Sequence, residues 1–204
     1  MKLYYGALSP FVRKVMVLAH ERNLVGALEL VTSPLTPLEP NRDLMRANPL
    51  GKIPALELDD GTVLFDSPVI CEHLDTLGSG PKLFPASGAE RLRALRLNAL
   101  ADGLLDAAMT ARVESLRPAE KQWEKWTEVQ LLKVRNALDT LNDGYAPKSG
   151  ALTIGEVAAG CALGWLDFRM PHLKWREGRD QLAGWFAEFS KRPSMTQTAP
   201  KASS

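Results

Sequence analysis

Cysteine is scarce in this chain of 204 residues: only Cys71 and Cys161 occur, ninety positions apart. Two such residues build no disulfide framework, and with three scattered histidines they make no metal-spaced cluster. A reducing, cytoplasmic setting fits that scarcity, and no metal is expected. Excess charge of one sign is lacking too, since 25 Lys+Arg against 24 Asp+Glu leave a formal net charge of +1. That balance argues against nucleic acid as a partner, because phosphate neutralisation over an extended surface needs more. Long apolar runs are absent. Val157 to Leu166, between Glu156 and Asp167, is the longest charge-free stretch of the C-terminal half. It has about half of the roughly 20 apolar residues that a membrane span needs, so no membrane is expected either. The uncharged run Leu3 to Val12 after Lys2 imitates a signal peptide. Ser9-Pro10 interrupts it, however, and Arg13-Lys14 stands where a small-residue cleavage site belongs, so it reads as the start of a folded domain.

What is present is an average globular composition, 45% hydrophobic and 24% charged, with two textures. Lys2 to Tyr5 and Ala27 to Thr32 read as strands around an amphipathic helix, Pro10 to Asn23. Phe11, Val12, Val15, Met16 and Ala19 share its helical spacing, with Arg13, Lys14, Glu21 and Arg22 on the other side. Asn41 to Arg46 makes only a short helix. Ala55 to Leu58 and Thr62 to Phe65 flank the turn signal Asp59-Asp60-Gly61, and Ser67 to Thr76 returns to helix. The order βαβ then ββα predicts a mixed sheet, with a parallel pair from the crossover and an antiparallel hairpin.

Beyond the small-residue stretch Leu77 to Pro81 everything reads as helix. The boundaries expected are a first domain at 1–77, a linker at 78–87 and an all-helical domain at 88–204. Ala89 to Val113 carries leucines at helical spacing, and Leu131, Val134, Leu138 and Leu141 continue after Pro118. Thr153 and Glu156 form a capping box, with Leu152 and Val157 at the positions of a hydrophobic staple. The helix they open is apolar on most of its circumference, which puts it in the middle of the helical half. Leu182, Trp185, Phe186 and Phe189 form a last amphipathic helix, and the polar tail from Pro193 reads as loose. Most of Trp123, Trp126, Trp165, Trp175 and Trp185 are expected in the core, with one or two left to line an apolar site.

The chemistry concentrates in the first domain. Ser9-Pro10 and Ser67-Pro68 each read as an N-cap serine followed by proline at the first helical position. A capping role alone accounts for both serines, yet each also leaves a helix N-terminus whose free amides suit an anion. Between them Asn48-Pro49-Leu50-Gly51-Lys52-Ile53-Pro54 turns and then extends, and whether the Pro54 bond is cis is open from the sequence alone.

These motifs in this order, from Ser9-Pro10-Phe11-Val12-Arg13-Lys14 through Asn48 to Pro54 and Asp66-Ser67 to Thr153-Ile154-Gly155-Glu156, resemble a bacterial glutathione S-transferase. The resemblance covers the chain to about Met195. It implies an α/β thioredoxin-like N-terminal domain with a cis Ile53–Pro54 bond, an all-α C-terminal domain and a homodimer. It also implies glutathione as cosubstrate: the Ile53 backbone pairs with its cysteinyl part, Asp66 and Ser67 hold its γ-glutamyl end, and Ser9 lies beside its sulfur. Elementary chemistry agrees, since one helix N-terminus suits a carboxylate, Asp66 suits an ammonium, and a thiol beside a helix N-terminus ionises more readily. Two departures stand out: Asp66 where many relatives carry Glu or Gln, and Pro68, which removes one amide donor.

Further candidates have duller alternatives. Tyr5 can donate its phenol to the sulfur or simply pack in the strand. Lys52 can reach a ligand carboxylate or sit exposed in a turn. Asp102 and Asp106 share a helix face and can meet the ligand ammonium or the electrophile, or form a solvated surface. The leading function is transfer of glutathione to an apolar electrophile. A glutathione-dependent disulfide or peroxide reductase is the second reading. Because Ser9-Pro10-Phe11-Val12 holds no cysteine, its redox cycle would run on glutathione alone. A non-catalytic binding protein on the same fold is the third. Sedimentation at micromolar protein and physiological salt is expected to give a two-fold pair; a monomer would refute it.

Overall fold

β1 (Lys2–Tyr5) alternates as a half-buried strand does, Lys2 exposed and Leu3 fully buried. In the computed structural model, which describes residues 1–34, 39–145 and 151–201, β1 has a neighbour on each side. β2 (Glu29–Thr32) runs parallel to it with Leu3 opposite Leu30, and β3 (Ala55–Glu57) antiparallel with Leu3 opposite Leu56. β4 (Val63–Leu64) closes the order β2-β1-β3-β4 as the hairpin partner of β3. Gly61 takes φ +85° in the turn, a conformation strained for other residues, and Thr62 N–H donates to Asp60 Oδ1 at 2.8 Å. This is the mixed sheet predicted from the strand order.

α1 (Pro10–Glu21) is the crossover from β1 to β2, α2 (Arg42–Ala47) is a short helix capped by Asn41, and α3 (Ser67–Leu77) follows β4. α1 and α3 pack together, with Val15, Leu18, Ile70 and Leu74 fully buried. Two charges follow them inside. Arg22 and Asp75 are each 2% exposed, and Arg22 Nε lies 3.1 Å from Asp75 Oδ1. The other guanidinium nitrogens donate to the carbonyls of Asp75 (3.0 Å), Gly78 (2.6 Å), Ser79 (3.0 Å) and Gly80. Asp75 in turn accepts from Leu83 N–H at 2.9 Å and Phe84 N–H at 3.0 Å. At Gly78 a Cβ would lie 2.5 Å from Arg22 Cβ, so the chain passes the arginine only as glycine. The sequence pattern set Lys14 and Arg22 on an outer polar side; both are buried, Arg22 with the Asp75 counter-charge and these carbonyls around it, although its Nε makes no hydrogen bond among the described residues.

The helical unit, Gly88–Arg192, contains α4 (Gly88–Glu114), α5 (Glu124–Thr140), α6 (Ile154–Arg169) and α7 (Asp180–Phe189). α6 is buried on every side from Ile154 to Leu163, as its apolar circumference predicts. Its start is built as the sequence indicates. Thr153 N–H donates to Glu156 at 2.9 Å, the Thr153 hydroxyl accepts from Gly155 N–H at 3.2 Å, and Arg93 of α4 reaches Glu156 at 3.1 Å. A Cβ on Gly155 would lie 2.7 Å from Leu97 Cβ, so α6 and α4 meet with no room for a larger residue. At the far end of α4, Glu114 accepts from Trp123 N–H at 2.9 Å. That bond, with Arg117 beside it, holds the Glu114 carboxyl below the usual carboxylate range.

Two expectations fail. Trp165 and Trp175 are buried and Trp185 half-buried, but Trp123 and Trp126 at the head of α5 are 65% and 41% exposed and stack on each other, so two of the five, not most, are in the core. Among the described residues the C-terminal tail is not loose either. α8 (Pro193–Gln197) belongs with Met1–Ser87 rather than with the helical unit, so 88–204 is not one domain. Arg13 Nη2 donates to Met195 O at 3.0 Å, and Ser194 donates to Glu21 at 2.5 Å, both on α1; these polar bonds were invisible in a tail of polar residues.

Asp75→Ala is expected to cost about 3–5 kcal/mol, because it leaves a buried guanidinium without its counter-charge. Thr153→Ala is expected to cost about 1 kcal/mol, the usual loss for an N-cap. Denaturant unfolding of both variants checks the ranking; equal losses would mean that the Arg22–Asp75 pair does not anchor its unit.

Candidate active site

The sheet gathers distant segments at one end. Tyr4 pairs with Ala55, so the chain leaving β1 passes the chain entering β3. A Cβ on Gly6 would lie 2.6 Å from Ile53 Cδ1, which puts the turn before α1 directly against Ile53. Leu56 pairs with Leu64, so the chain leaving β4 toward Asp66 runs beside the chain entering β3. The N-termini of α1 and α3 therefore flank the Ile53–Pro54 segment.

Each end is built differently. Ser9 is a true N-cap: its hydroxyl accepts from Val12 N–H at 3.3 Å, and its own proton has no acceptor among the described residues. Ser67 is not a cap. Asp66 occupies that position without a side-chain capping bond, Ser67 is the first helical residue, and Pro68 is the second. The two Ser-Pro pairs thus differ by one position, a shift that identical dipeptides cannot reveal. Asp66 is exposed and its carboxylate has no partner among the described residues, while Ser67 is 1% exposed. Neither α1 nor α3 has an acidic residue in its first turn; the positive dipole end is uncompensated at α1, while at α3 it is shared with the Asp66 carboxylate at the N-cap.

The Ile53–Pro54 peptide is cis. Ile53 N–H and C=O have no hydrogen-bond partner among the described residues, which leaves a backbone donor and acceptor for an extended ligand. Asn48, which the sequence offered only as the start of a turn, holds this segment. It is 1% exposed, donates to Lys52 O at 2.8 Å and accepts from Leu50 N–H at 3.1 Å. A buried amide bonded to its own turn leaves no pattern in one sequence. Lys52 is exposed, and its ammonium has no partner among the described residues.

Tyr5 ends β1 half-buried on the face of Leu3, with its phenol unpartnered among the described residues. Tyr4 faces the other way. Its hydroxyl donates to Glu57 at 3.0 Å, and burial together with that bond pushes it above its ordinary value. Asp102 and Asp106 stand on α4 in the helical unit and are not among the residues that the sheet brings together. Asp102 accepts from Asn98 at 3.0 Å. Among the described residues no three His, Cys, Asp or Glu side chains form a group that could hold a metal ion, and no helix is long and apolar enough to cross a membrane.

A thioredoxin-like unit whose sheet collects two helix N-termini, followed by a helical unit, defines the class, and comparison with known proteins gives the family. Residues 8–77 match the glutathione S-transferase N-terminal domain and residues 104–188 its C-terminal domain. An Escherichia coli protein described as an uncharacterized GST-like protein, YibF, is 33% identical over 98% of both chains. A glutathione transferase family member from Pseudomonas fluorescens, solved with bound glutathione, is 46% identical, with a TM-score of 0.96 over 98% of this chain and 99% of that one. A glutathione S-transferase from Methylobacillus flagellatus, also with glutathione bound, is 36% identical, with a TM-score of 0.90 over 98% and 99% of the two chains. The chain belongs to the glutathione S-transferase family.

Asn48→Ala is expected to cost about 1–3 kcal/mol, because it strands the Lys52 carbonyl and the Leu50 N–H. Denaturant unfolding measures it; an unchanged midpoint would show that the turn holds itself.

Proposed function

We propose that the protein is a glutathione transferase: it binds glutathione, stabilises its thiolate and transfers it to an apolar electrophile. The observation that carries this reading is the set of unpartnered groups at one end of the sheet, namely the Ser9 hydroxyl proton, the Ile53 N–H and C=O, and the Asp66 carboxylate. They match an extended peptide in sequence of need. Ile53 pairs with the cysteinyl backbone beside Pro54, Asp66 meets the γ-glutamyl ammonium, and Ser67 with the free amides of α3 takes the adjoining carboxylate. Lys52 takes a second carboxylate. Ser9 donates to the sulfur, with Tyr5 as the alternative donor, and Asp102 and Asp106 stay candidates of the helical unit for the electrophile. The bound structures of the Pseudomonas and Methylobacillus relatives support glutathione as the ligand.

The nucleophile arrives with the cosubstrate, so the protein's contribution is placement and electrostatics. Because α1 begins with Ser9 and not cysteine, transfer is preferred over disulfide exchange through the protein. We place this activity in the cytoplasm, in detoxification, and in a homodimer.

The test is Ser9→Ala. A hydrogen bond to a charged sulfur contributes roughly 1.5–3 kcal/mol, or about one to two units of thiol pKa. A thiol of pKa about 8.5 is about 3% ionised at pH 7, and one of about 6.5 is about three quarters ionised, so ionisation can supply at most some 25-fold in rate. Ser9→Ala is expected to lower kcat/KM at neutral pH by roughly 10-fold and to recover much of it toward pH 9, with a smaller change in glutathione affinity. Thiolate absorbance of the bound cosubstrate, followed against pH with an aryl halide, a mixed disulfide and a hydroperoxide as acceptors, reads both the role and the reaction. An unchanged thiol pKa would reduce Ser9 to a cap. No retention on glutathione-agarose by the parent protein would overturn the whole reading.

A further inference from the structure

The start of α1 carries charge of the wrong sign for its position. A helix N-terminus favours carboxylates and disfavours cations. Yet α1 has no acidic residue in its first turn, and Arg13 and Lys14 follow directly on Ser9-Pro10-Phe11-Val12. Lys14 is buried, with its ammonium 5.9 Å from the centre of the Phe11 ring. Arg13 is half-buried and tied at both ends. Its backbone N–H donates to Ser9 O at 3.0 Å, closing the same turn in which the Ser9 hydroxyl accepts from Val12 N–H at 3.3 Å. Its guanidinium donates to Met195 O at 3.0 Å, on α8, and to Thr198 Oγ1 at 3.4 Å, just beyond it.

Both of those acceptors are neutral. A neutral amide donates equally well to a carbonyl and a hydroxyl, so docking α8 accounts for a donor at position 13 but not for a full positive charge. No carboxylate pairs with Arg13 among the described residues. α8 has no charged residue, and the single acid of α1, Glu21, lies at its far end, where it accepts from Ser194. The other titratable groups of this part of the unit are Tyr5, Lys52 and Asp66 of the candidate site, and Lys201, exposed beyond α8. A cation held one side-chain length from the Ser9 turn, at a positive helix end and without a counter-charge, costs the fold stability and favours an anion at that turn.

We propose that Arg13 is a positioning residue of the transfer reaction: it fixes the turn bearing Ser9 to α8, and its unneutralised charge favours the thiolate that Ser9 meets. The proposal rests on the glutathione reading of the site and adds to it a residue that acts through the Ser9 turn. The thiol proton passes to solvent, and the guanidinium keeps its own.

Thiolate absorbance of bound glutathione in the full chain, followed against pH at roughly 0.05 and 0.5 M salt, tests it. Arg13→Gln, which keeps a donor and removes the charge, is expected to raise the bound thiol pKa by about half a unit to one unit at the lower salt, with a smaller gap at the higher. With an aryl halide as acceptor, kcat/KM should fall about two- to three-fold at pH 7 and stay near parental at pH 9, with glutathione affinity little changed. Arg13→Lys should return the thiol pKa to near the parental value. A residue that only docked α8 would lower the melting temperature and leave the thiol pKa in place. Circular dichroism establishes that each variant is folded, and Arg13→Met carries the test if Arg13→Gln does not fold. A parental thiol pKa in a folded, glutathione-binding Gln or Met variant, or a Lys variant displaced as far as Gln, overturns this proposal alone. No bound thiolate in the parent protein overturns the glutathione reading and the proposal with it.

Discussion

A guanidinium removed from water needs a counter-charge and acceptors close at hand, and in the first unit that requirement fixes the geometry. Arg22 sits at the end of α1, Asp75 near the end of α3, and the chain from Gly78 to Phe84 wraps the pair with carbonyls on one side and amides on the other. The ends of α1 and α3 are thereby held together. Since the two helices pack alongside each other and are of nearly equal length, 12 and 11 residues, their beginnings also lie together. At that opposite end the sheet register takes over, with Tyr4 against Ala55 and Leu56 against Leu64. The candidate site is what remains between a clamped end and a registered end.

Within that frame the two helix beginnings divide the work by a difference of one residue. At α1 the serine itself is the cap, so its hydroxyl oxygen accepts from Val12 N–H and its proton is left for another acceptor. At α3 the aspartate takes the capping position and the serine moves into the first turn. One end therefore offers a neutral hydroxyl donor and the other a carboxylate beside free amides. A ligand with a thiol at one point and an ammonium with a carboxylate at another meets suitable partners at both.

The helical unit relies on a different device. Glu156 accepts from its own capping residue and from Arg93 of α4, so the start of α6 is fixed locally and against its neighbour by one carboxylate. Gly155 lets α6 approach α4 closely enough for that bond. From this anchor α6 packs along α4.

Patterns that depend only on neighbours in sequence were legible. The order of strands and helices in the first unit, the Asp59-Asp60-Gly61 turn, the Thr153–Glu156 box and the apolar circumference of α6 all follow from local spacing, and each is present in the structure. The order of short motifs was enough to indicate the family. Partners chosen across the chain were not legible. Nothing in the sequence says that Arg22 finds Asp75, that Asn48 is buried by its own turn, that Ser67 stands one position later than Ser9, or that α8 returns to α1 through Arg13 and Ser194. A polar side chain reads as exposed until a specific acceptor is brought to it, and only the packing of distant segments brings one.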